Sequence, residues 1–401
     1  MTVRDDLRAR VEALRPTVEA VARAIHADPE TADEEQHAVA RLSELFATHG
    51  FVVDPAPGDP TAFVASAGSG GTKVAVCLEY DALPEIGHAC GHNLISGAGA
   101  LAALALADHA RDLGITVLAV GCPAEERGGG KIPLLAEGVF ADVDLAIMIH
   151  TVPDGIRLDP RGTSSQAIGQ FVATYTGRAA HAAAAPHLGR NTTDAVVIAE
   201  VALALLRQQV PSDHRLSANV VRSGSVPNVI PDHATIEFEC RAWTTEEYEA
   251  LRVRVFRCLE AGALATGCEL TIEPVGRPYE PLVQDELLGG LWCDALEELG
   301  LDPAHGVPLA GGSTDMGNVS RVVPAIHPWV RLPGVTASLH SSDYATAAGT
   351  DEAYGVMTQA AIGMAWTVAA VASDPDLVAR LRTRGQELVA MASTQARSSG
   401  R

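Results

Sequence analysis

Residues 73–93 read KVAVCLEYDALPEIGHACGHN, an apolar run followed at once by a cluster of ionisable side chains. The run 73–78 predicts a buried strand, and residues 94–109, rich in Ala, Gly and Leu, predict a helix that lies close against a sheet. Burying so many ionisable groups is unfavourable unless something neutralises them, and a divalent metal ion is the usual answer. Among the groups between the two elements are two carboxylates, two imidazoles and a thiol that could share one site: Glu79, Asp81, His88, Cys90 and His92.

The same pattern recurs at two further predicted strands. The run 115–121 is followed by Glu125 and Glu126, and the run 145–150 closes on His150. Strands that alternate with helices in this way are typical of a doubly wound α/β domain with a mostly parallel sheet. Ligands bind such domains at the carboxyl ends of the strands. Since the polar residues fall at those ends, the pattern predicts a site at that edge of the sheet.

The length of 401 residues exceeds what one hydrophobic core usually holds, so two domains are expected. Residues 165–276 show the order β-α-β-β-α-β, which predicts a ferredoxin-like α+β domain. Helical and strand patterns resume after it. We therefore predict that this small domain is inserted into a metal-binding catalytic domain formed by residues 1–164 and 277–401.

The composition excludes several classes of partner. A formal net charge of −21 argues against nucleic acid and anionic membranes, because both require a basic face. We expect no segment that spans a bilayer and no signal peptide, since residues 1–15 are charged and amphipathic. Seven scattered cysteines indicate reduced thiols in a cytoplasmic protein.

The metal hypothesis depends on several residues taken together. Cys90 and His92 stand on either side of one glycine, so a tight turn lets both reach one point. Thiolate with imidazole suits zinc, and imidazole with carboxylate also accepts manganese or cobalt. By itself this triplet is more typical of a small buried cysteine and a hydrogen-bonded histidine than of a metal site. With Glu126, His150 and His340 the set is large enough for two divalent ions.

Glu125 and Glu126 point in different directions because they are adjacent. One carboxylate can bind a metal while its neighbour takes a proton from a metal-activated water and passes it to a leaving amine. The simpler alternative is a solvated acidic turn. Three glycines at 128–130 favour the first interpretation, since a flexible loop allows a substrate to approach closely.

Three motifs carry a resemblance to a known superfamily. They are His-Ala-Cys-Gly-His at 88–92, Pro-Ala-Glu-Glu at 123–126 with the glycines after it, and Gly-Arg-Ala-Ala-His-Ala-Ala at 177–183. The chain resembles the dinuclear metallo-amidohydrolases and carboxypeptidases, which include aminoacylases, auxin-conjugate hydrolases and p-aminobenzoyl-glutamate hydrolase. The resemblance extends from about residue 26 to the region of His340.

The resemblance implies a role for each matching residue. Glu125 would be the general base, Asp81 would orient a ligand, and a water between two ions would attack an amide carbonyl. His181 would stabilise the oxyanion, reaching the site from the partner subunit of a homodimer, so the inserted domain would act as lid and dimerisation domain. Two divalent ions per subunit (Zn or Mn, with Co possible) would be held by Cys90, His92, Glu126, His150 and His340.

The substrate is predicted more loosely. The chain departs from the auxin-conjugate branch at Asn93, at Ile95 and over 313–320, and there it is similar to aminoacylase-like dipeptidases. We expect hydrolysis of N-acyl amino acids or small dipeptides, with two alternatives: release of glutamate from p-aminobenzoyl-glutamate conjugates, and a metal-free binding or scaffold protein. The candidate substrate contacts are Asn228, Arg241, Gly312, Ser313 and Thr314.

Overall fold

The computed structural model describes residues 2–309 and 311–399, with side chains up to residue 394. The chain divides into two compact units, Met1–Ser164 with Leu282–Arg401 and Ser165–Pro281. The second unit ends five residues later than the predicted 276, because its last strand continues to Tyr279.

The first unit begins with two helices and continues with alternating strands and helices. Their bounds are α1 Val3–Ala27, α2 Gln36–Thr48, β1 Val52–Pro55, β2 Phe63–Gly68, β3 Thr72–Glu79, α3 His92–Asp108, α4 Ala110–Leu113, β4 Ile115–Cys122, α5 Lys131–Ala136, β5 Leu145–Ile147 and β6 His150–Val152.

The second unit consists of four long strands, two long helices and a short hairpin-like pair. Their bounds are β7 Ala167–Thr176, β8 Ala180–His181, α6 Thr192–Arg207, β9 Arg215–Ser223, β10 Val229–Ile230, β11 His233–Ala242, α7 Thr245–Thr266 and β12 Glu269–Tyr279.

The chain then returns to the first unit, which it completes mainly with helices. Their bounds are α8 Glu286–Glu298, α9 Met316–Ser320, β13 Ala325–Ile326, β14 Trp329–Arg331, α10 Ser342–Ala347, α11 Asp351–Ala372 and α12 Pro375–Ser399. The last helix is α12, and residues 400–401 lie outside the described residues.

The main sheet of the first unit has the order β1-β2-β4-β3-β5-β13. The strands β4, β3, β5 and β13 run parallel, whereas β1 and β2 add an antiparallel edge. This arrangement confirms the predicted mostly parallel α/β architecture. Because β3 and β4 are adjacent and parallel, the residues that follow them emerge side by side at one edge of the sheet.

Helix α3 connects these two strands and lies in the core of the unit. It packs on β3 and β4 and also contacts α1 and α11. Gly99 permits this close approach, because a Cβ there would lie 3.0 Å from Cγ of Leu78 on β3. The predicted role of the small residues in 94–109 is therefore confirmed.

Among the described residues, helix α11 is the segment that bears on the expectation that no segment spans a bilayer. By length and composition alone Asp351–Ala372 could cross a bilayer, but 72% of its most apolar window is buried inside the protein. It packs against α1, α3 and α8. The apolar run therefore serves the core of this unit.

The predicted strand 145–150 is in fact two strands, which is a correction. β5 ends at Ile147, and His150 begins β6, which pairs with β14 in a separate two-stranded parallel sheet. The sequence signal failed because the apolar run continues through Met148 and Ile149 without a turn residue. His150 therefore starts a strand instead of ending one.

The second unit has a four-stranded antiparallel sheet with the order β12-β7-β11-β9. Helices α6 and α7 pack on each other and on this sheet. The strand order and connections are those of the predicted ferredoxin-like domain. The strand β9 forms one edge of the sheet, and the pair β8 and β10 is an addition to the simple pattern.

Candidate metal centre

The turn that follows β3 places two candidate ligands at the start of α3. Cys90 and His92 are both buried and lie on either side of Gly91, which has φ 72°. A Cβ at Gly91 would lie 2.3 Å from the Thr151 hydroxyl oxygen, and that hydroxyl donates to the Cys90 carbonyl (2.9 Å). Only glycine fits this left-handed and crowded position without strain.

A second strained turn follows β4 and carries the two glutamates. Ala124 has φ 54°, and its N–H donates to Oε1 of Glu35 at 2.8 Å. Glu35 is fully buried, and burial together with the charge of Asp81 raises the pKa of its carboxyl to about 8. Glu35 therefore holds the turn that presents Glu125 and Glu126.

Asp81 connects the two turns through both of its carboxylate oxygens. Oδ1 lies 2.9 Å from His92 Nδ1, and Oδ2 accepts the backbone N–H of Glu126 at 2.9 Å. The carbonyl oxygen of Asp81 also lies 2.8 Å from His92 Nδ1. Since both neighbours of Nδ1 are acceptors, Nδ1 carries the proton and the lone pair of Nε2 is free to bind a metal.

The five predicted metal ligands form two overlapping groups around Cys90. Its Sγ and one ring nitrogen each of His92 and His150 all lie within 4.8 Å of one another. The same holds for Cys90, Glu126 and His340. Ligands bound to one ion at about 2.0–2.3 Å lie less than about 4.6 Å apart, so small adjustments would allow one ion in each group.

The two remaining histidines are oriented by the backbone around them. His150 Nδ1 lies 2.7 Å from the Thr151 carbonyl and donates to it, which leaves Nε2 for a ligand. His340 has φ 61°, and its N–H donates to the Ala89 carbonyl at 3.1 Å. Its Nε2 lies 3.6 Å from Oε2 of Glu126. His340 is therefore held against the turn that carries Cys90.

Unsatisfied polar atoms indicate that these residues fit a divalent ion. Among the described residues, Nε2 of His92 and Oε1 of Glu126 are buried and have no hydrogen-bond partner. Burial and the charge of Glu126 raise the pKa of the Cys90 thiol well above its usual range. Burial and the charge of Glu79 do the same to the pKa of the Glu125 carboxyl. A dication would offset these charges and accept the free lone pairs.

The groups around His92 also carry an excess of negative charge. Burial alone would lower the pKa of its ring, but the charge and hydrogen bond of Asp81, together with the charges of Glu79 and Glu126, raise this pKa well above the ordinary value. Nε2 of His92 lies 3.7 Å from Oε2 of Glu79 and 3.9 Å from Oε1 of Glu126. Three carboxylates therefore surround one imidazole.

Sequence reasoning missed the buried groups behind this cluster. Lys131, the first residue of α5, is fully buried, and its Nζ donates to Glu79 and, at 2.6 Å, to Asp315. His327 is buried beside His150, with ring centroids 5.8 Å apart, and burial lowers the pKa of its ring to about 3. The available signal for Lys131 was its rarity, since the sequence has only one other lysine, Lys73.

The substrate candidates of the second unit lie in different parts of it. His181 on β8 pairs with Val229 on β10, and the backbone carbonyl of the neighbouring Asn228 accepts the N–H of Ala182 at 3.0 Å. These two candidates are therefore close together. Arg241 lies at the other end of β11, about 26 Å along the strand from its first residue, where it forms two hydrogen bonds with Glu239.

The remaining candidates lie in the first unit. The Thr314 hydroxyl accepts the Met316 N–H at 3.2 Å, and the neighbouring Gly312 has φ 83°. Among the described residues the buried Ser313 hydroxyl has no hydrogen-bond partner. Asn93 is fully buried and donates to the Ala348 carbonyl at 3.0 Å, so this departure from the auxin-conjugate branch is a packing residue in α3.

Comparison with known proteins gives three kinds of match. A family model described as a peptidase dimerisation domain matches residues 163–266. A Xaa-Arg dipeptidase from Mus musculus is 36% identical over 391 residues, which cover 93% of this chain and 90% of that protein. One of the subunits of p-aminobenzoyl-glutamate hydrolase from Escherichia coli (strain K12) is 34% identical, and the match covers 66% of this chain and 58% of that protein.

The solved structures agree with this architecture. A dinuclear metal-binding peptidase of the M20 family from Bacillus subtilis superposes with a TM-score of 0.68 at 21% identity. The match covers 90% of this chain and 99% of that one. At this level of identity the superposition supports the fold, and the dipeptidase match over nearly the whole chain supports the family.

Proposed function

Because this chain belongs to the M20 family of metallopeptidases, and is therefore a metal-dependent amide hydrolase, we propose that its substrates are small dipeptides with a basic carboxyl-terminal residue. The observation that carries the metal assignment is the position of Cys90, which belongs to both ligand groups. A shared ligand brings two ion positions close enough for both ions to act on one amide bond.

We assign the ions to the residues by their chemistry. Cys90, His92 and His150 would hold one ion, and Cys90, Glu126 and His340 would hold the other. When bound, such ions lower the pKa of a water molecule and polarise a carbonyl group. The thiolate favours Zn, whereas the carboxylate and imidazole ligands also suit Mn or Co.

The remaining polar groups would move protons and hold charge. One oxygen of Glu125 lies within 4.8 Å of ligand atoms of His92 and Glu126, so its carboxylate can take a proton from the attacking water and deliver it to the leaving amine. Asp81 keeps the proton of His92 on Nδ1 throughout, because its carboxylate and carbonyl oxygens both face that atom. By the family resemblance, we assign the oxyanion-stabilising hydrogen bond to His181 of the partner subunit.

Two lines of support favour a basic dipeptide. The Xaa-Arg dipeptidases of mouse and human are 36% and 34% identical to this chain and match at least 90% of it. The net charge of −21 also favours the approach of a cationic substrate at low ionic strength. The second candidate substrate is a p-aminobenzoyl-glutamate-like conjugate, which is supported by the shorter match to the Escherichia coli hydrolase.

A substrate panel tests the proposal. The protein is loaded with Mn²⁺ or Zn²⁺ and assayed for kcat/KM on Ala-Arg, β-alanyl-lysine, Ala-Asp, N-acetyl-alanine and p-aminobenzoyl-glutamate. We expect the two basic dipeptides to be hydrolysed best, with Ala-Asp as the control for the charge. Preference for p-aminobenzoyl-glutamate would support the second candidate, and no hydrolysis of either basic dipeptide would contradict the proposed substrate class.

We also propose that the protein is a homodimer formed through the second unit. Val197, Val201 and Leu205 recur every four residues on α6 and are 56%, 55% and 65% exposed, so they form one apolar stripe. Helix α6 packs beside the edge strand β9. A second copy could cover the stripe and extend the sheet at β9.

The mass of the particle in solution tests this interface. Replacing Val201 and Leu205 with glutamate should convert a dimer into a monomer in light scattering coupled to size-exclusion chromatography. Leu264→Glu is the matched control, since Leu264 is 86% exposed on the other helix, α7. A wild-type monomer, or a double variant that stays dimeric, would contradict the proposed interface.

A further inference from the structure

Behind the metal centre lies a second acidic group, the inner carboxylates, formed by Glu79, Glu125 and Asp315. One oxygen from each lies within 4.8 Å of the others, which is a spacing that could hold a metal ion. Glu79 and Asp315 are fully buried. Oε2 of Glu79 has no hydrogen-bond partner among the described residues and lies 3.7 Å from His92 Nε2. Such a group requires a positive charge close to it.

Lys131 supplies this positive charge. Nζ of Lys131 donates to Oε1 of Glu79 and, at 2.6 Å, to Oδ1 of Asp315. The backbone N–H of Lys131 donates to the other oxygen of Asp315 at 2.9 Å. The ammonium group therefore contacts one oxygen of each of two buried carboxylates, and Lys131 is itself fully buried.

We propose that the Lys131 ammonium takes the place of a third cation beside the metal centre and so restricts the chain to two divalent ions. Carboxylate oxygens are the ligands that Mn²⁺ and similar ions prefer, so the inner carboxylates would compete for metal if no fixed charge stood among them. By engaging Oε1 of Glu79, Lys131 also fixes the direction in which Oε2 faces His92. Lys131 is thus a positioning residue, and it does not touch the substrate.

Because the inference rests on the two-ion centre of the proposed function, the test counts ions and does not measure activity. Wild-type protein and the variants Lys131→Met, Lys131→Met with Asp315→Asn, and Lys73→Met are equilibrated with Mn²⁺ and freed of excess metal. Bound Mn²⁺ per chain is then measured by mass spectrometry. Methionine keeps an unbranched side chain of similar length without the charge. Lys73→Met is the control, since Lys73, the other lysine, lies at the end of β3 opposite to Glu79.

We expect two ions in the wild-type chain and in Lys73→Met, three in Lys131→Met, and two again when Asp315→Asn removes one of the inner carboxylates. Two ions in Lys131→Met would overturn the inference and leave the proposed function intact. A wild-type chain without any Mn²⁺ or Zn²⁺ would instead overturn the proposed function.

Loss of the buried charge could prevent Lys131→Met from folding in the absence of metal. In that case the variant is produced with and without excess Mn²⁺. Recovery of folded protein only with Mn²⁺, carrying three ions per chain, would support the inference because the ion then replaces the ammonium. Failure to fold even with excess Mn²⁺ would overturn it.

Discussion

Replacement of Asp81 by asparagine tests how the ligands are oriented. The carboxylate accepts two hydrogen bonds, from His92 Nδ1 at 2.9 Å and from the Glu126 N–H at 2.9 Å. An asparagine side chain has one acceptor and one donor group, so it can keep only one of these bonds. If its amide NH₂ faces His92, Nδ1 keeps only the carbonyl of residue 81 as an acceptor, and the amide donor favours the ring proton on Nε2, the atom that would bind the metal.

The size of the effect follows from the lost bond. A hydrogen bond to a charged group contributes about 1.5–3 kcal/mol, and about 1.4 kcal/mol corresponds to a factor of ten in an equilibrium constant. We therefore expect the dissociation constant for Mn²⁺ or Zn²⁺ to rise about ten- to a hundredfold in Asp81→Asn. This range agrees with the usual effect of groups that orient metal-bound histidines.

Competition with a chelator of known affinity measures the change. The matched control is Asp144→Asn, since Asp144 also accepts a backbone N–H, from Lys73 at 2.9 Å, and an arginine, Arg382 at 2.8 Å. Lys73 is the second residue of the strand β3, which ends at Glu79 about 20 Å away. Equal metal affinity in wild-type protein and Asp81→Asn would refute the reasoning.

Two further predictions concern the turns that carry the site. Burial raises the pKa of Glu35 from 4.5 to about 8, so the free energy of unfolding of the wild type should fall as pH rises through this interval. Because glutamine stays neutral, Glu35→Gln should become more stable relative to the wild type over the same interval. Urea unfolding at pH 5 and pH 8 checks this, and a difference that does not change with pH would contradict it. Gly91→Ala should lower the free energy of unfolding by about 1–3 kcal/mol through backbone strain, and further through the contact of the new Cβ with Thr151. Gly114 has φ 64°, and a Cβ there would meet no atom within 4 Å, so Gly114→Ala measures the backbone contribution alone. Equal losses of stability in the two variants would rule out a contribution from the Thr151 contact.

Much of the site was predictable because its signals are local. A strand that ends at Glu79 and a parallel neighbour that ends at Cys122 necessarily bring the following residues to one edge of the sheet. Short-range motifs therefore suffice to place Asp81, Cys90 and Glu126 together. The cytoplasmic location predicted from the cysteines is of a different kind and stays a prediction.

The groups behind the site depend on contacts that are distant in sequence. Lys131 meets Glu79 and Asp315 from 52 and 184 residues away, and no periodicity indicates such a contact. His327 likewise reaches the site only because β13 pairs with β5 and the chain then continues to β14 beside β6. Partners of this type become visible only when the sheet order is known.

For Arg241 and Asn93 the sequence did not indicate which groups the side chains contact. Arg241 forms two hydrogen bonds with Glu239 on its own strand, and its contact with a substrate carboxylate stays a prediction. Asn93 follows a metal-ligand motif, yet its amide donates to the Ala348 carbonyl inside the core. Residue identity does not report the direction of a side chain.

The measurement that tests the central claim most directly is the turnover of Glu125→Gln on a basic dipeptide, with bound metal counted in the same sample. Glutamine keeps the size of the side chain but cannot carry a proton between water and the leaving amine. We predict unchanged metal content and a fall in kcat of several orders of magnitude, at least about a hundredfold. Turnover close to that of the wild type at equal metal content would contradict the account.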